Sequence, residues 1–272
     1  MDFLSYSLFW KGLLSAVLIA ISTAIIGVFL MVKRLAMLGA GLSHAAFGGV
    51  AIAIVLGIEP LTFTLIYTIL VSFLLQFIVD KRRLPADTVV ALLFSLGVAV
   101  AVILLSMTDN LGTGLFSYLF GSMLTATEVE LLLSLSVCIA TLLFVLINYR
   151  SLLLLSFNEE IARLRGVRVG LLNYALVAIA SANIVLSIKA VGLILSASLL
   201  SIPPMTAFML AQSFLQSLIL SISFSLTSIA LGILMSFLFD LPPGASAVSV
   251  MAVFFALVGL FKLTGKRFSK AS

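Results

Sequence analysis

The sequence predicts an all-α membrane protein, a polytopic bundle of about nine transmembrane helices that forms one domain over residues 1–272. Hydrophobic residues make up 63% of the chain and charged residues only 9%, whereas soluble domains carry about 25% charged residues. Apolar runs of about 20 residues, the length that spans a bilayer as a helix, recur along the chain. Most of the surface is therefore expected to face lipid, and little chain is left for a soluble catalytic domain.

The apolar runs divide into nine predicted spans joined mostly by short connections. They lie at residues 7–32, 36–57, 61–79, 88–107, 129–148, 169–188, 190–211, 214–238 and 245–262. The first run is longer than the core of a signal peptide and Lys33-Arg34 follow it, so it is predicted to be a true span. Eight or ten spans remain alternatives, because Pro203-Pro204 can break the seventh and few residues separate the first two.

The basic residues predict the orientation of this bundle. With the N-terminus outside and nine crossings, all but two of the 15 Lys and Arg residues fall on the inner side, as the positive-inside rule requires. Only Lys11 and Lys189 fall outside. We therefore expect a multi-pass protein of the cell membrane with a cytoplasmic C-terminus, and the net charge of +5 does not indicate a nucleic-acid partner.

The outer connection at 108–128 is longer than a turn. Its apolar centre, 115–124, is too short to cross the membrane. Two interpretations are open: a short helix that dips back into the membrane under cover of protein, or a helix that lies in the interface.

A short helix is predicted within the inner connection at 149–168. Its indications are an N-cap, an acidic first turn and a glycine stop, supplied by Asn158, Glu159, Glu160 and Gly166. Ile161 and Leu164, three residues apart, share one face of it. This helix is either a connector that lies on lipid headgroups or a knob that docks into a groove of a cytoplasmic partner.

His44 is the one ionisable side chain clearly at depth, on a stripe of small residues that includes Ala40, Gly41 and Gly48. Small residues let helices approach closely, and they also leave space for a solute. The imidazole is then either a neutral group hydrogen-bonded across a helix interface or a ligand for a borderline metal ion.

The remaining polar groups at depth are modest. Asn183 and Ser187 share a face of the sixth span, and serines precede the two prolines of the seventh. No Asp, Glu or Lys is predicted at the midplane, which argues against a proton- or sodium-driven carrier. The chain also has no phosphate-binding loop, dinucleotide fingerprint or zinc-protease motif, so energy for uphill transport has to come from elsewhere.

Four segments, in order along the chain, resemble the permeases of zinc/manganese/iron ABC importers. Residues 32–51 resemble that family's R-R-x-A-x-L-G-D-A-x-S-H-A-x-x-P-G-V-A, and 117–121 resemble its S-Y-L-F-G. Residues 158–167 resemble its D-E-E-x-A-x-x-x-G-V coupling segment, and 191–207 its V-G-x-L-L and I-P-A-A-T-A motifs.

The resemblance implies a permease subunit with a fold similar to that of the cobalamin importer. Two copies would form the pore, two cytoplasmic ATP-binding subunits would grip the helix at 158–166, and an extracytoplasmic binding protein would deliver Zn²⁺, Mn²⁺ or iron. ATP and Mg²⁺ would be used by the partner, and this chain would bind no cofactor of its own.

The resemblance also implies roles for particular residues. The coupling segment to the ATPase would comprise Asn158, Glu159, Glu160, Ile161, Ala162, Arg163, Leu164 and Gly166. His44 would be a metal ligand on the pathway, and the pathway and its gates would comprise Ser43, Gly48, Ser117, Ser198, Ser201, Pro203 and Pro204.

One departure from the family's pattern concerns the metal. The family's Asp, four residues before its His, aligns with Ala40, and Gly48 stands near the family's Pro. Either the cargo passes with His44 alone or it is not a bare divalent metal. The rival hypotheses are a secondary carrier or channel without an ATPase, an intramembrane enzyme that uses His44, and a membrane scaffold.

Overall fold

The computed structural model describes residues 7–82, 84–107, 121 and 127–269, and its regular secondary structure over those residues is entirely α-helical. The helices are α1 Ser7–Val32, α2 Leu38–Leu56, α3 Pro60–Arg82, α4 Ala86–Ser106, α5 Glu128–Phe157, α6 Glu159–Leu164, α7 Val169–Val191, α8 Leu193–Leu210, α9 Phe214–Phe239 and α10 Pro243–Ser269. Eight of them are long and apolar enough to cross a membrane, and α8 is a shorter apolar helix. The predicted fold class is confirmed, and each of the nine predicted spans corresponds to one helix.

Two boundaries differ from the prediction. Helix α5 has 30 residues, which is about 45 Å at 1.5 Å per residue, and it continues nine residues beyond the predicted end at 148. The division between α7 and α8 falls at Gly192, where φ is 96°, rather than at Lys189. Lys189 lies within the last turn of α7, and its ammonium lies 3.7 Å from a carboxylate oxygen of Glu130 in α5.

The helices form a buried centre and an exposed rim. In their most apolar stretches, 67–72% of the residues of α1, α2 and α7 are buried, against 22–33% in α3, α4, α5, α9 and α10. The exposed side chains of the rim are large and apolar, including Leu146 and Ile147 of α5 and Leu257 of α10. Such a surface is stable only in lipid or against another apolar surface.

At one end of the bundle, two ion pairs join α1 and α7 to the first turn of α5. Lys11 of α1 lies 2.7 Å from Glu128, and Lys189 of α7 lies 3.7 Å from Glu130. These are the two lysines that the predicted topology leaves outside, so each is paired with a carboxylate. We call this the Lys11 end.

The opposite end, which we call the Lys33 end, carries α6. Lys33 follows α1 directly and lies 2.7 Å from Glu159 of α6, while Lys262 of α10 donates to the carbonyl of Met209 in α8. Together the two ends fix the relative directions: α1 and α5 run parallel, and α7 runs antiparallel to both. Nine alternating crossings require these same directions.

Candidate functional site

The small-residue stripe of α2 is filled by α4. A Cβ built on Gly41 would lie 2.7 Å from Val90 Cγ1, and one on Gly48 would lie 3.1 Å from the carbonyl oxygen of Gly97. A Cβ on Gly97 would lie well under 3.0 Å from the carbonyl of His44. The stripe therefore serves close helix packing rather than leaving room for a solute along its length.

The His44 side chain lies at this crossing and is half-buried. Its ring packs on Phe94 of α4, with ring centroids 4.0 Å apart and tilted by 57°. Its buried Nδ1 has no hydrogen-bond partner among the described residues, so the interpretation as a histidine bonded across a helix interface is not what the structure shows. Ala40, one turn earlier on the same face, is also partly exposed.

A metal ion at this level meets few ligands. Over the described residues, no group of three His, Cys, Asp or Glu side chains lies close enough together to hold one. With Ala40 in the place of a carboxylate, the imidazole of His44 is the nitrogen donor that this face of α2 offers. One imidazole without a carboxylate beside it can hold a borderline metal ion only weakly.

Helix α8 packs against α2 through buried hydroxyl groups. The Oγ atoms of Ser43 and Ser196 lie 2.9 Å apart, and both side chains are fully buried. Ser201 donates to the carbonyl of Ala197 within its own helix, and Ser198 is partly buried on the same helix. Among the predicted pathway serines, Ser43 thus joins two helices, α2 and α8, whereas the hydrogen bond of Ser201 stays within α8.

Pro203 and Pro204 do not break α8, which runs continuously from Leu193 to Leu210. Both prolines are buried. A proline at 204 leaves the carbonyl of Leu200 without its helical hydrogen-bond donor. Gly27 of α1 lies close to that carbonyl: a Cβ built on Gly27 would overlap the carbonyl oxygen and lie 2.8 Å from Pro204 Cγ. The alternative of a broken seventh span is therefore wrong, because α8 is continuous through both prolines. The backbone of α1 packs directly against the proline turn.

A buried polar cluster links α1, α5 and α7. Asn183 accepts a hydrogen bond from Ser22 and donates to Thr141 Oγ1 at 3.2 Å and to the carbonyl of Ile179 at 2.9 Å. The side chains of Ser22, Thr141 and Asn183 are all buried. The sequence pointed to Asn183 but not to Ser22 or Thr141, because hydroxyls on single helices give no indication of which helix they meet.

Helix α6 is capped in the way the sequence predicts. The Asn158 carbonyl oxygen Oδ1 accepts from the backbone N–H groups of Glu160 and Ile161, each at 3.0 Å. Gly166 has φ of 76°, the left-handed conformation that ends a helix. Ala162 is fully buried beneath the helix.

The outward side of α6 carries two apolar side chains beside the exposed charges of Glu160 and Arg163. Ile161 is 45% exposed and Leu164 is 88% exposed. On the two sides of this end lie hollows of about 470 and 310 Å³, and Phe157 lines both. The larger hollow also contains Arg150 and Arg165. An exposed apolar pair within a basic, grooved surface fits a protein partner better than water.

Glu159 ties α6 to the bundle through a triangle of hydrogen bonds. Lys33 Nζ donates to Glu159 Oε1 at 2.7 Å and to Asn173 Oδ1 at 2.6 Å, and Asn173 Nδ2 donates to the same Glu159 oxygen at 3.2 Å. Partial burial raises the pKa of Glu159, but the hydrogen bond and charge of Lys33 outweigh it, so the net pKa lies below its ordinary value. The sequence assigned Lys33 only to orientation and did not single out Asn173.

One predicted gate lies outside the described residues. Ser117 and the segment 115–124, apart from Gly121, are in the range that the structure does not describe. The backbone of Gly121 lies against Val191 and Gly192, where a Cβ would lie under 3.0 Å from their atoms. This contact places Gly121 at the junction of α7 and α8.

Comparison with known proteins finds similarity along nearly the whole chain. A sequence profile described as the ABC 3 transport family matches residues 5–262. A protein named "Probable metal transport system membrane protein" from Treponema pallidum (strain Nichols) is 34% identical over 258 residues, 94% of this chain and 96% of its own length. The "Manganese import system permease protein ScaB" of Streptococcus parasanguinis is 30% identical over 260 residues, 96% of this chain and 92% of its own.

A solved structure has the same fold. The chain superimposes on one in "PsaBC from Streptococcus pneumoniae in complex with Fab" with a TM-score of 0.82 and 26% identity, covering 94% of this chain and 92% of the other. The helical arrangement described above is therefore that of an experimentally observed protein.

Proposed function

The chain belongs to the ABC 3 transport family, and we propose that it forms the path by which divalent metal ions enter the cell. As a member of that family it is a multi-pass permease subunit of an ATP-driven metal importer in the plasma membrane. The single observation that carries this conclusion is the family match over 5–262, which covers all of the helices but the last turns of α10.

The proposed cargo is Mn²⁺ first, with Zn²⁺ and iron as the other candidates. The names of two relatives, a metal transport protein and a manganese import permease, support a metal. Imidazole nitrogen, which His44 offers at the α2–α4 crossing, suits Zn²⁺ and iron, whereas Mn²⁺ prefers oxygen ligands, so the preference for Mn²⁺ rests on the named manganese relative. Because Ala40 supplies no carboxylate, the ion is bound there more weakly than by an Asp–His pair.

The proposed partners are a second copy of this chain, a cytoplasmic ATP-binding subunit and an extracytoplasmic metal-binding protein. In this arrangement the Lys33 end is cytoplasmic, the N-terminus is outside and the C-terminus is inside. The basic residues that collect at the Lys33 end support that orientation. The exposed Ile161 and Leu164 of α6 are the knob that the ATP-binding subunit grips, within the coupling segment 158–166.

ATP and Mg²⁺ act on the partner, and this chain contributes no cofactor. Closure of the ATPase dimer moves α6, and the bundle alternates its opening between the two sides of the membrane. Ser43, Gly48, Ser198, Ser201, Pro203 and Pro204 belong to the region that rearranges, and Ser117 to the outer gate.

The coupling role is tested by replacing two exposed polar residues of α6. The variant Glu160→Ala/Arg163→Ala is compared with Lys81→Ala, an exposed charge at the end of α3, in vesicles that contain the complex with its ATPase. We expect the α6 variant to lose at least about ten-fold in metal transported per ATP, since it removes contacts to the motor, while the control is unchanged. Unaltered coupling in the α6 variant overturns the assignment of 158–166 as the coupling segment.

The metal path is tested by His44→Ala against Ser95→Ala, an exposed residue on α4. Uptake of radiolabelled Mn²⁺ is measured in cells that depend on this importer. We expect a raised half-saturating concentration and a lower maximal rate for His44→Ala only. If purified chain without any ATPase moved Mn²⁺ into vesicles, the protein would be a carrier or channel and the ATP-driven proposal would fail.

A further inference from the structure

We propose that Lys33 is a positioning residue that locks the coupling helix α6 to α1 and α7, so that movement of α6 by the ATPase is passed to the buried centre of the bundle. This inference rests on the proposed function and adds the residues that receive the motion. We call the group Lys33, Glu159 and Asn173 the inner clamp.

The inner clamp is a closed set of contacts. The ammonium of Lys33 donates to an oxygen of Glu159 and an oxygen of Asn173, and the amide of Asn173 donates to that same Glu159 oxygen. The Lys33 side chain is only 8% exposed. A cation held out of water needs a fixed counter-charge and hydrogen-bond acceptors, so removal of any one member leaves the others poorly satisfied.

The inner clamp is the polar attachment of α6 to the rest of the protein. Within the described part of the chain, Glu159 is the only side chain of α6 that hydrogen-bonds to another helix. The other attachment is apolar, through the buried Ala162. Apolar contacts permit sliding, whereas charge-assisted hydrogen bonds fix both direction and distance.

The helices that the inner clamp reaches are those of the buried centre. Helices α1 and α7 are joined again at depth by the hydrogen bond from Ser22 to Asn183, and α1 lies against the proline turn of α8 at Gly27. A displacement of Glu159 therefore has a continuous path of rigid helices to α8, which contacts α2 beside His44 through Ser196 and Ser43.

The chain supplies its own matched control at the opposite end. Lys11 of α1 and Glu128 of α5 form an ion pair of the same length as Lys33 and Glu159, 2.7 Å. Glu128 is 79% exposed and the pair does not touch α6. Exposed ion pairs contribute little to stability, and this pair lies far from the proposed motor.

The experiment compares charge reversals at both ends. The variants Lys33→Glu, Glu159→Lys and the double exchange are purified with the cognate ATPase and placed in vesicles, alongside the corresponding Lys11 and Glu128 variants. ATP hydrolysis, Mn²⁺ transport and retention of the ATPase are measured on each. Asn173→Ala and Lys33→Met serve as milder variants, and thermal unfolding shows which proteins are folded.

For the inner clamp we expect each single reversal to lower transport per ATP at least about ten-fold while the ATPase stays bound, and the double exchange to recover at least half. Asn173→Ala is expected to lower the same ratio about two- to five-fold. The Lys11 and Glu128 variants should stay within two-fold of the wild type. If the double exchange restores transport per ATP without restoring the melting temperature, the pair acts on coupling. A pair that only stabilises the fold would not give this result.

Three results overturn the inference. The first is normal coupling in folded Lys33→Glu or Lys33→Met protein, and the second is equal effects at both ends. The third is loss of fold in every inner-clamp variant, which would make Lys33 a stabilising residue only. If the wild type itself shows no ATP-dependent uptake of Mn²⁺, Zn²⁺ or iron, the proposed function fails instead, so the two failures are distinguishable.

Discussion

Gly97→Ala is expected to separate α2 from α4 at the level of His44. The new Cβ would lie 2.5 Å from the backbone carbonyl carbon of His44 and closer still to its oxygen, and ordinary van der Waals contact begins near 3.4 Å. The difference is at least about 0.9 Å, and it cannot be absorbed by a side-chain rotation because the neighbouring atoms belong to the backbone. The two helices themselves have to part.

The magnitude follows from two opposing effects. Overpacking of a well-filled interface costs about 1–3 kcal/mol, and a backbone neighbour places this case in the upper part of that range. Alanine is a better helix former than glycine by about 1 kcal/mol. We therefore expect the free energy of unfolding to fall by about 1–2 kcal/mol.

The measurement can use Cys138, the single cysteine of the chain, which is buried. Its reaction with a thiol-specific fluorophore during heating in detergent reports unfolding. The control is Gly259→Ala in α10, where the new Cβ meets only Met209 Cε at 3.5 Å. That variant is expected to melt at or above the wild-type temperature.

The same variant should impair Mn²⁺ uptake, because the ring of His44 packs on Phe94 of the helix that is pushed away. If Gly97→Ala melted with Gly259→Ala and transported normally, the α2–α4 crossing would not be as tight as described, and the packing role of the small stripe would be refuted.

Three further predictions concern the polar groups. Asn183→Ala should lower the free energy of unfolding by about 0.6–1.7 kcal/mol, as expected for a hydrogen bond between membrane helices. The loss stays small because the hydroxyl of Ser22 can still donate to carbonyls of its own helix. A loss above about 3 kcal/mol in the same fluorophore assay would contradict this. Because the pKa of Glu159 lies below its ordinary 4.5, the stabilisation by Lys33 is complete above that pH and lost as the pH falls through the lowered pKa. The melting temperature of wild type minus that of Glu159→Gln should accordingly be constant from about pH 8 to 6 and shrink only below about 4.5, and a decline near pH 6.5 would refute the assignment. Asn158→Ala, which removes the cap of α6 at a cost of about 0.5–2 kcal/mol, should weaken co-purification of the ATPase, whereas Asn158→Asp, which keeps the cap, should not.

The spans and the cap of α6 were predictable because each depends on local pattern. A run of apolar residues and an Asn followed by two Glu residues act over a few positions, so the linear sequence contains the relevant physics. The fold class and the order of the helices followed directly. The end of α5 did not, because Tyr149 and Arg150 interrupt the apolar run at 148 although the helix continues to Phe157.

The remaining features depend on partners far along the chain. Lys33 and Glu159 are 126 residues apart, and their neighbourhood gives no indication that they meet. From the sequence alone, the glycines of α2 could either leave space for a solute or let another helix pack closely. Only the position of α4 against them decides between the two roles. The prolines of α8 suggest a break, and only the close approach of Gly27 shows how a continuous helix accommodates them.

The inner clamp limits how α1 can travel relative to α6 and α7. A shift of α1 along its axis by a single turn, 5.4 Å, would separate Lys33 from both Glu159 and Asn173. Tilting of the three helices as a unit keeps both contacts, so the transport cycle of this protein should consist of rocking rather than sliding.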